Sequence, residues 1–275
     1  MITGASSGIG RATAIAMAHQ GARLALAARD PVALAAVRTQ CEEIGCEAIA
    51  VPTDVSDQSL VDALAESAAQ RFGRVDVWVN NAGVIAYGLF EQTPADVFER
   101  VIATNLFGQV NGARAALRQF RRQEHGVLIN VCSVWGRITS PYVSAYVTSK
   151  FAIRAFSECL REELRDAPDI HVITILPQAV DTPIFRRAAN FSGRGVRCLP
   201  LSREPQDIAE RIVACAQDPK REVTDRRFGR LLEAARALSP ALWEKLSPTL
   251  FKRMALTPTS AETTDGNLFQ PNHCE

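Results

Sequence analysis

The chain has 275 residues, 47% hydrophobic and 22% charged, with a formal net charge of +1. That length supports one large domain with a sizeable core. The near-neutral balance gives no global signal for nucleic acid or an acidic partner. Seven cysteines, at 41, 46, 132, 159, 198, 215 and 274, form no zinc-ligand spacing. They read as reduced thiols of a cytoplasmic protein. No secretory leader is evident, and no apolar run reaches the ~18–20 residues of a membrane-spanning helix.

Short strands and longer helices alternate along the chain. Residues 23–28 form an apolar strand. Asp30 then reads as an N-cap with Pro31 at the first helical position, opening a helix to about Ile44. Residues 48–51 are a second strand, and Ser56 or Asp57 starts a helix ending near Phe72. Residues 75–79 are short, apolar and β-branched, as in a strand buried on both faces. A long helical region covers 94–121. Strands at 127–131 and 172–176 flank a helix over 143–165. Residues 205–216 are helical, and 221–224 form a last short strand. This alternation predicts an α/β fold: a doubly wound parallel sheet with helices on both faces. Ligands bind such a fold beyond the carboxyl ends of the strands, where strand order reverses.

The loops at those ends carry the chemistry. Thr3-Gly4-Ala5-Ser6-Ser7-Gly8-Ile9-Gly10 lies between a strand end and a helix start. Its glycines permit a tight turn that brings backbone N–H groups and a helix N-terminus against a pyrophosphate. Tyr146 and Lys150 share one helix face at i and i+4. A phenol with an ordinary pKa of ~10 is a poor proton shuttle near neutrality, and a neighbouring ammonium favours its phenolate. Ser133 follows the strand ending at Val131.

These motifs resemble the short-chain dehydrogenase/reductase family, whose cofactor turn reads TGxxxGIG. The resemblance runs to about residue 225 and implies a Rossmann-type fold binding a nicotinamide dinucleotide. Asp54-Val55 is similar to the family's adenine-contacting site, and Asn80-Asn81-Ala82-Gly83 to its NNAG motif. Ser133, Tyr146 and Lys150 match the catalytic set. Ser133 is implied to hold the substrate oxygen and Tyr146 to transfer the proton, while Lys150 also holds the nicotinamide ribose. Asn105 matches the helix asparagine of the proton relay. Residues 177–183 resemble the loop whose Pro177 and Thr182 flank the nicotinamide, with Gln178 where the family has glycine. A turn that differs from the family's is expected there. Cys132 and Thr148 also depart from the family pattern. Only Met1 and Ile2 precede Thr3, so either the first strand is truncated or the true start lies upstream.

The end of the second strand reads Ala28-Arg29, where NAD-preferring members place an acid for the ribose 2′-hydroxyl. Alanine leaves room and a guanidinium suits a 2′-phosphate, which favours NADP(H) over NAD(H). The expected function is NADP(H)-dependent interconversion of a ketone or aldehyde and an alcohol. The alternative is a non-catalytic NADP(H)-sensing regulator on the same fold. Loops at 84–90, 134–142 and 184–201 are largely apolar, through Ile85, Leu89, Trp135, Tyr142, Ile184 and Phe185, and imply a lipophilic substrate. Arg137, Arg186 and Arg187 read as surface charge, with a substrate anion as the other reading. A homo-oligomer is expected.

Beyond a catalytic domain of residues 1–225, residues 226–256 read as an amphipathic helical extension. Phe228, Leu231, Leu232, Ala235 and Leu238 recur at helical spacing, then Leu242, Leu246 and Leu250. Arg226, Arg227, Arg230, Lys245, Lys252 and Arg253 make it basic. Packing on the core, a subunit partner or the substrate cleft is the ordinary expectation, and peripheral contact of 226–254 with an anionic membrane the sharper one. Residues 257–275 are polar and read as a mobile tail.

Overall fold

A computed structural model describes residues 1–200, 202–224 and 228–271, with side chains of 228–232 left aside. Leu201, Arg226, Arg227, Cys274 and the side chains of Phe228, Arg230, Leu231 and Leu232 therefore lie outside the described residues. In chain order the elements are β1 (Ile2–Thr3), α1 (Gly8–His19), β2 (Leu24–Ala28), α2 (Pro31–Glu43), β3 (Ala48–Pro52), α3 (Gln58–Phe72), β4 (Val77–Asn80) and β5 (Ala86–Tyr87). They continue with α4 (Ala95–Ile102), α5 (Gly108–Gln123), β6 (Gly126–Val131), α6 (Ser144–Glu163), β7 (Ile170–Leu176), α7 (Pro183–Arg186), β8 (Ala189–Asn190) and β9 (Arg194–Val196). The last are α8 (Pro205–Gln217), β10 (Glu222–Thr224), α9 (Phe228–Leu238), α10 (Pro240–Ala255) and β11 (Leu256–Ser260).

A seven-stranded sheet runs β10-β7-β6-β4-β1-β2-β3, and each of its pairings is parallel. Helices α1, α2 and α8 cover one face and α3, α5 and α6 the other, so both faces are apolar. This is the expected doubly wound Rossmann-type fold. Strand order reverses between β1 and β4, which places the Gly4–Gly8 turn and Asn81–Gly83 at the same crevice. β1 spans two residues but sits mid-sheet, with Ile2 opposite Leu26 on one side and Val79 on the other. Asp30 caps α2 as expected, accepting from Val32 N and Ala33 N at 3.0 Å each.

The long helical region departs from its expected form. A π-helical turn, Ala103–Phe107, separates α4 from α5 and holds Asn105 in its middle. Such turns concentrate at functional sites because they re-aim a side chain without ending the helix. Beneath the site, a polar thread crosses the core. Trp78 Nε1 donates to Asn80 Oδ1 at 2.8 Å, Asn80 Nδ2 to Asn130 Oδ1 at 3.0 Å, and Asn130 Nδ2 to Ser157 Oγ at 2.9 Å.

The C-terminal region differs most from its sequence reading. In α10, the row Leu242, Leu246 and Leu250 faces solvent, 53%, 56% and 54% exposed. The buried face is instead Phe251 and Ala255, with Trp243 partly covered beside them. The leucine row keeps helical spacing, but the aromatic bulk finds the better-matched cavity. Residues 257–271, expected as a mobile tail, are docked. β11 pairs antiparallel with β9, Thr264 exchanges backbone hydrogen bonds with Asn190, and Leu268 is 0% exposed. One apolar anchor and strand pairing overcome the polar composition that suggested disorder.

Candidate active site

Sixteen of the expected site residues line one cavity: Gly4, Ser6, Ser7, Gly8, Ile9, Arg29, Asp54, Val55, Asn81, Ala82, Gly83, Ser133, Tyr146, Lys150, Pro177 and Thr182. Gly10 and Asn105 do not; each acts from behind the wall. A Cβ at Gly10 would lie 2.2 Å from the Gly4 carbonyl, so only glycine lets α1 pack under the turn. Gly4 has φ +64°, and a Cβ there would meet the Ala82 backbone at 2.8 Å. The turn is wired to the NNAG segment. Thr3 Oγ1 accepts from Asn81 N and Ala82 N, and Asn81 Nδ2 donates to the Thr3 and Gly4 carbonyls at 3.0 and 3.2 Å. Ser7, the N-cap of α1, makes no side-chain capping bond. The first-turn N–H groups thus face the cavity at the positive end of a helix, a cradle that fits a pyrophosphate.

Ser133, two residues past the end of β6, is the N-cap of a short turn, its Oγ accepting from Trp135 N at 3.2 Å. Tyr146 and Lys150 sit on α6, both buried, and the Lys150 Nζ lies 5.3 Å from the Tyr146 ring centre. The Ser133 hydroxyl is near enough to the Tyr146 phenol to favour its ionised form. Lys150 Nζ donates to the Val131 carbonyl at 3.0 Å, and the same carbonyl accepts from Gln109 Nε2 at 3.0 Å. Burial pushes the phenol of Tyr146 above its ordinary value, Cys132 adds to this, and Ser133 opposes it. Burial likewise lowers Lys150 to about 8, against the opposing pull of Cys132. The lowering of the phenol that the lysine spacing suggests is not among these causes, and burial sets the direction.

Asn105 is fully buried, and its amide clamps Val84. Oδ1 accepts from Val84 N at 2.8 Å, while Nδ2 donates to Val84 O at 2.9 Å and Ser149 Oγ at 3.1 Å. Its side chain fixes the wall segment beside Gly83. Gln178 lines the cavity without a positive φ, so the substitution for glycine imposes no left-handed strain. Tyr142 does adopt a positive φ, +65°, held by Gly88 N donating to its carbonyl and by stacking on Phe251. Of the three arginines, Arg137 is not surface charge: it is paired with Glu222 and Glu233. Arg187 lines the cavity, and Arg186 lies 3.8 Å from Asp181.

Asp54 lines the cavity with its carboxylate already engaged. Oδ1 accepts from Ser56 N and Oγ, and Oδ2 pairs with Arg100. Burial alone would raise its pKa, but the bonds to Arg100 and Ser56 together hold it below the usual carboxylate range. Arg100 had no sequence signal. Neither did Asn267 and Pro271, which edge the same cavity from the docked C-terminal segment. Among the described residues, no group of three or more metal-ligating side chains assembles, and no helix is long and apolar enough to cross a membrane.

The family model for short chain dehydrogenase matches residues 1–192. The chain belongs to that family. An uncharacterized oxidoreductase, YxnA of Bacillus subtilis, is 35% identical over 249 residues, covering 90% of this chain and 70% of that protein. Dehydrogenase/reductase SDR family member 7B of Bos taurus is 34% identical over 233 residues, covering 81% and 71%. The chain is 44% identical over 187 residues to the probable oxidoreductase EphD of Mycobacterium tuberculosis, of which it spans only 31%. Among solved structures, an alcohol dehydrogenase from the archaeon Thermococcus sibiricus complexed with 5-hydroxy-NADP superposes with a TM-score of 0.69. It is 31% identical, covering 81% of this chain and 93% of that one. This short-chain dehydrogenase is thus an oxidoreductase with a nicotinamide-type cofactor site.

Proposed function

We propose that this short-chain dehydrogenase interconverts a ketone or aldehyde and an alcohol with NADP(H), on a lipophilic substrate. The observation that carries the reading is the convergence of Ser133, Tyr146 and Lys150 in one cavity with the glycine cradle. The Gly4–Gly8 cradle and Lys150 would hold the nicotinamide cofactor, which would supply or accept the hydride. In reduction, the Tyr146 phenol donates its proton to the substrate oxygen, and the Ser133 hydroxyl donates a hydrogen bond to the same oxygen. A phenol raised by burial remains a proton donor throughout the neutral range. Lys150, seated on the Val131 carbonyl, places its positive charge beside the developing phenolate. Asn105 keeps Val84 and the Gly83 wall in register with them, and its place in a proton relay belongs to this same reading.

The 2′-phosphate preference rests on Arg29 beside Ala28 in the cavity, and the Thermococcus protein was crystallised with an NADP analogue. The lipophilic substrate rests on the aromatic cluster of Trp135, Tyr142, Tyr146 and Phe251 on the substrate side. The exposed leucine row of α10, beside Lys245 and Arg253, supports peripheral contact with an anionic membrane. A cytoplasmic homo-oligomer completes the proposal.

NADPH oxidation against a panel of ketones and aldehydes tests the chemistry. Tyr146→Phe removes the proton donor without altering ring packing, so kcat is expected to fall by ~10²–10⁴-fold with NADPH affinity retained. Unchanged turnover in that variant would falsify the assignment of Tyr146.

A further inference from the structure

The docked C-terminal segment meets the cofactor cavity at its adenosine end. Thr264 pairs with Asn190 through N–H···O bonds of 2.8 and 3.0 Å, and Asn267 N donates to the Arg187 carbonyl at 2.9 Å. Between them Gly266 adopts φ +53°, where a Cβ would lie 2.4 Å from the Arg187 carbonyl oxygen. Leu268 is then driven into a pocket of Val84, Ala86, Val97 and Val101, the residues that follow the NNAG motif and those of α4. This anchor turns two main-chain carbonyls toward the cavity rim. Arg29 Nη1 donates to Leu268 O at 2.6 Å and Arg29 Nη2 to Asn267 O. Arg100 Nε donates to the same Leu268 carbonyl at 3.0 Å, while its other nitrogens hold Ser56 and Asp54.

Two consequences follow from the chemistry of these groups. Carbonyl oxygens orient a guanidinium without cancelling its charge, and a guanidinium has five N–H donors, so Arg29 keeps three for a further acceptor. An arginine already held in one rotamer loses little conformational freedom when an anion arrives. Burial and the nearby Arg100 both lower the Arg29 pKa, with Asp54 opposing; an added anion would relieve the crowding of two cations at one carbonyl. Asn267 and Pro271 edge the cavity alongside Arg29 and Asp54, so the segment borders the space rather than lying remote from it.

We infer that residues 264–271 form a strap that walls the adenosine end of the cofactor site and presets Arg29 for the cofactor's 2′-phosphate. The inference rests on the NADP(H) reading above and deepens it: selectivity for the phosphorylated ribose resides in a main-chain clamp supplied by the far end of the chain. The strap also ties the adenosine end to the 187–190 segment, which leads from the substrate loop.

The test compares the intact protein with a chain ending at Ala261 and with Leu268→Asp, titrated with NADPH, NADH, 2′,5′-ADP and 5′-AMP. Both altered proteins are expected to bind NADPH and 2′,5′-ADP about tenfold more weakly or worse, with 5′-AMP weakened less. Arg29→Ala should weaken NADPH comparably in the intact protein and add under about twofold in the shortened chain, because the strap and Arg29 act as one unit. Should Leu268→Asp fail to fold by circular dichroism, Gly266→Val displaces the segment without placing a charge in the apolar pocket. Equal or tighter NADPH binding by the shortened chain overturns the strap. A separate outcome strikes the reading beneath it: if the intact protein binds NADH as tightly as NADPH, Arg29 does not select the 2′-phosphate. In that case the strap stands as an adenosine wall only if shortening weakens NADH and 5′-AMP as well.

Discussion

Lys150 carries an ammonium into a buried site, and that placement has a thermodynamic cost. A pKa of about 8 in the folded protein against an ordinary 10.5 corresponds to roughly 3 kcal/mol wherever the lysine is charged in both states. Because the folded value is the lower one, the full cost applies below about pH 8. Stability then rises with pH from about 8 to 10.5 as the folded protein releases the proton first, and the cost is gone above that window. Lys150→Met is therefore expected to raise the melting temperature near pH 7 while abolishing turnover. The Val131 carbonyl keeps Gln109 as a partner in that variant. Thermal melts of both proteins at neutral and alkaline pH check this. A lower melting temperature for the variant at neutral pH would show that the Lys150–Val131 bond outweighs desolvation. In the wild type, kcat/KM for carbonyl reduction should decline above about pH 8 as Lys150 loses its charge.

At the scale of elements, α10 backs the aromatic cluster whose Trp135 and Tyr146 line the cavity. Phe251 stacks on Tyr142 and Tyr87 at 6.1 and 6.4 Å and meets Trp135 at 6.0 Å, and Trp135 in turn contacts the Tyr146 ring. Removing so central a side chain opens space behind Trp135, the ring that packs on Tyr146. Phe251→Ala should cost about 3–5 kcal/mol of stability if the site does not collapse. Its KM for small lipophilic ketones should rise more than its kcat falls, measured by steady-state kinetics well below the variant's melting temperature. A change confined to kcat would mean that Phe251 acts on Tyr146 rather than on substrate binding. The helix was legible in the sequence but its buried face was not. Leu242, Leu246 and Leu250 satisfy the periodicity, and nothing in periodicity says that the Trp243–Phe251 side meets an aromatic cavity built from three distant loops. The π-helical turn at Asn105 was hidden for a related reason: it shifts the apolar phase by one residue, and no residue type marks where the extra one enters.

For the whole molecule, the exposed leucines bear on where the protein sits. Leu238, Leu242, Leu246 and Leu250 follow one another every four residues, 86% exposed at Leu238 and over half exposed at the others. Liposome sedimentation should show the intact protein binding vesicles containing anionic lipid, weakening with salt, and Leu242→Gln with Leu246→Gln releasing it. Failure of the unmodified protein to sediment with such vesicles would end the membrane proposal. The sheet and its helices were readable from the sequence because each depends on local pattern, apolar runs for strands and glycines at the turn, whereas the proposed triplet was marked by its resemblance to the family's motif. The docked segment was not readable, because what holds it is one leucine and a set of main-chain carbonyls, and a carbonyl looks the same under every side chain. Arg29 shows both halves of this. Its place at the end of β2 was evident, whereas its two acceptors, some 240 residues further on, were not.

The polar thread through Trp78, Asn80, Asn130 and Ser157 has a further consequence. Sheets made only of valine, isoleucine and leucine can slide by a residue at modest penalty, since one greasy side chain replaces another. Here a slip of β4 against β6 would strand two carboxamides in a dry interior with their partners out of reach, and desolvated amides are expensive to leave unmatched. The molecule thus carries its own alignment key. Mispaired forms are penalised before Ser133, which follows β6, is ever presented at the mouth of the crevice.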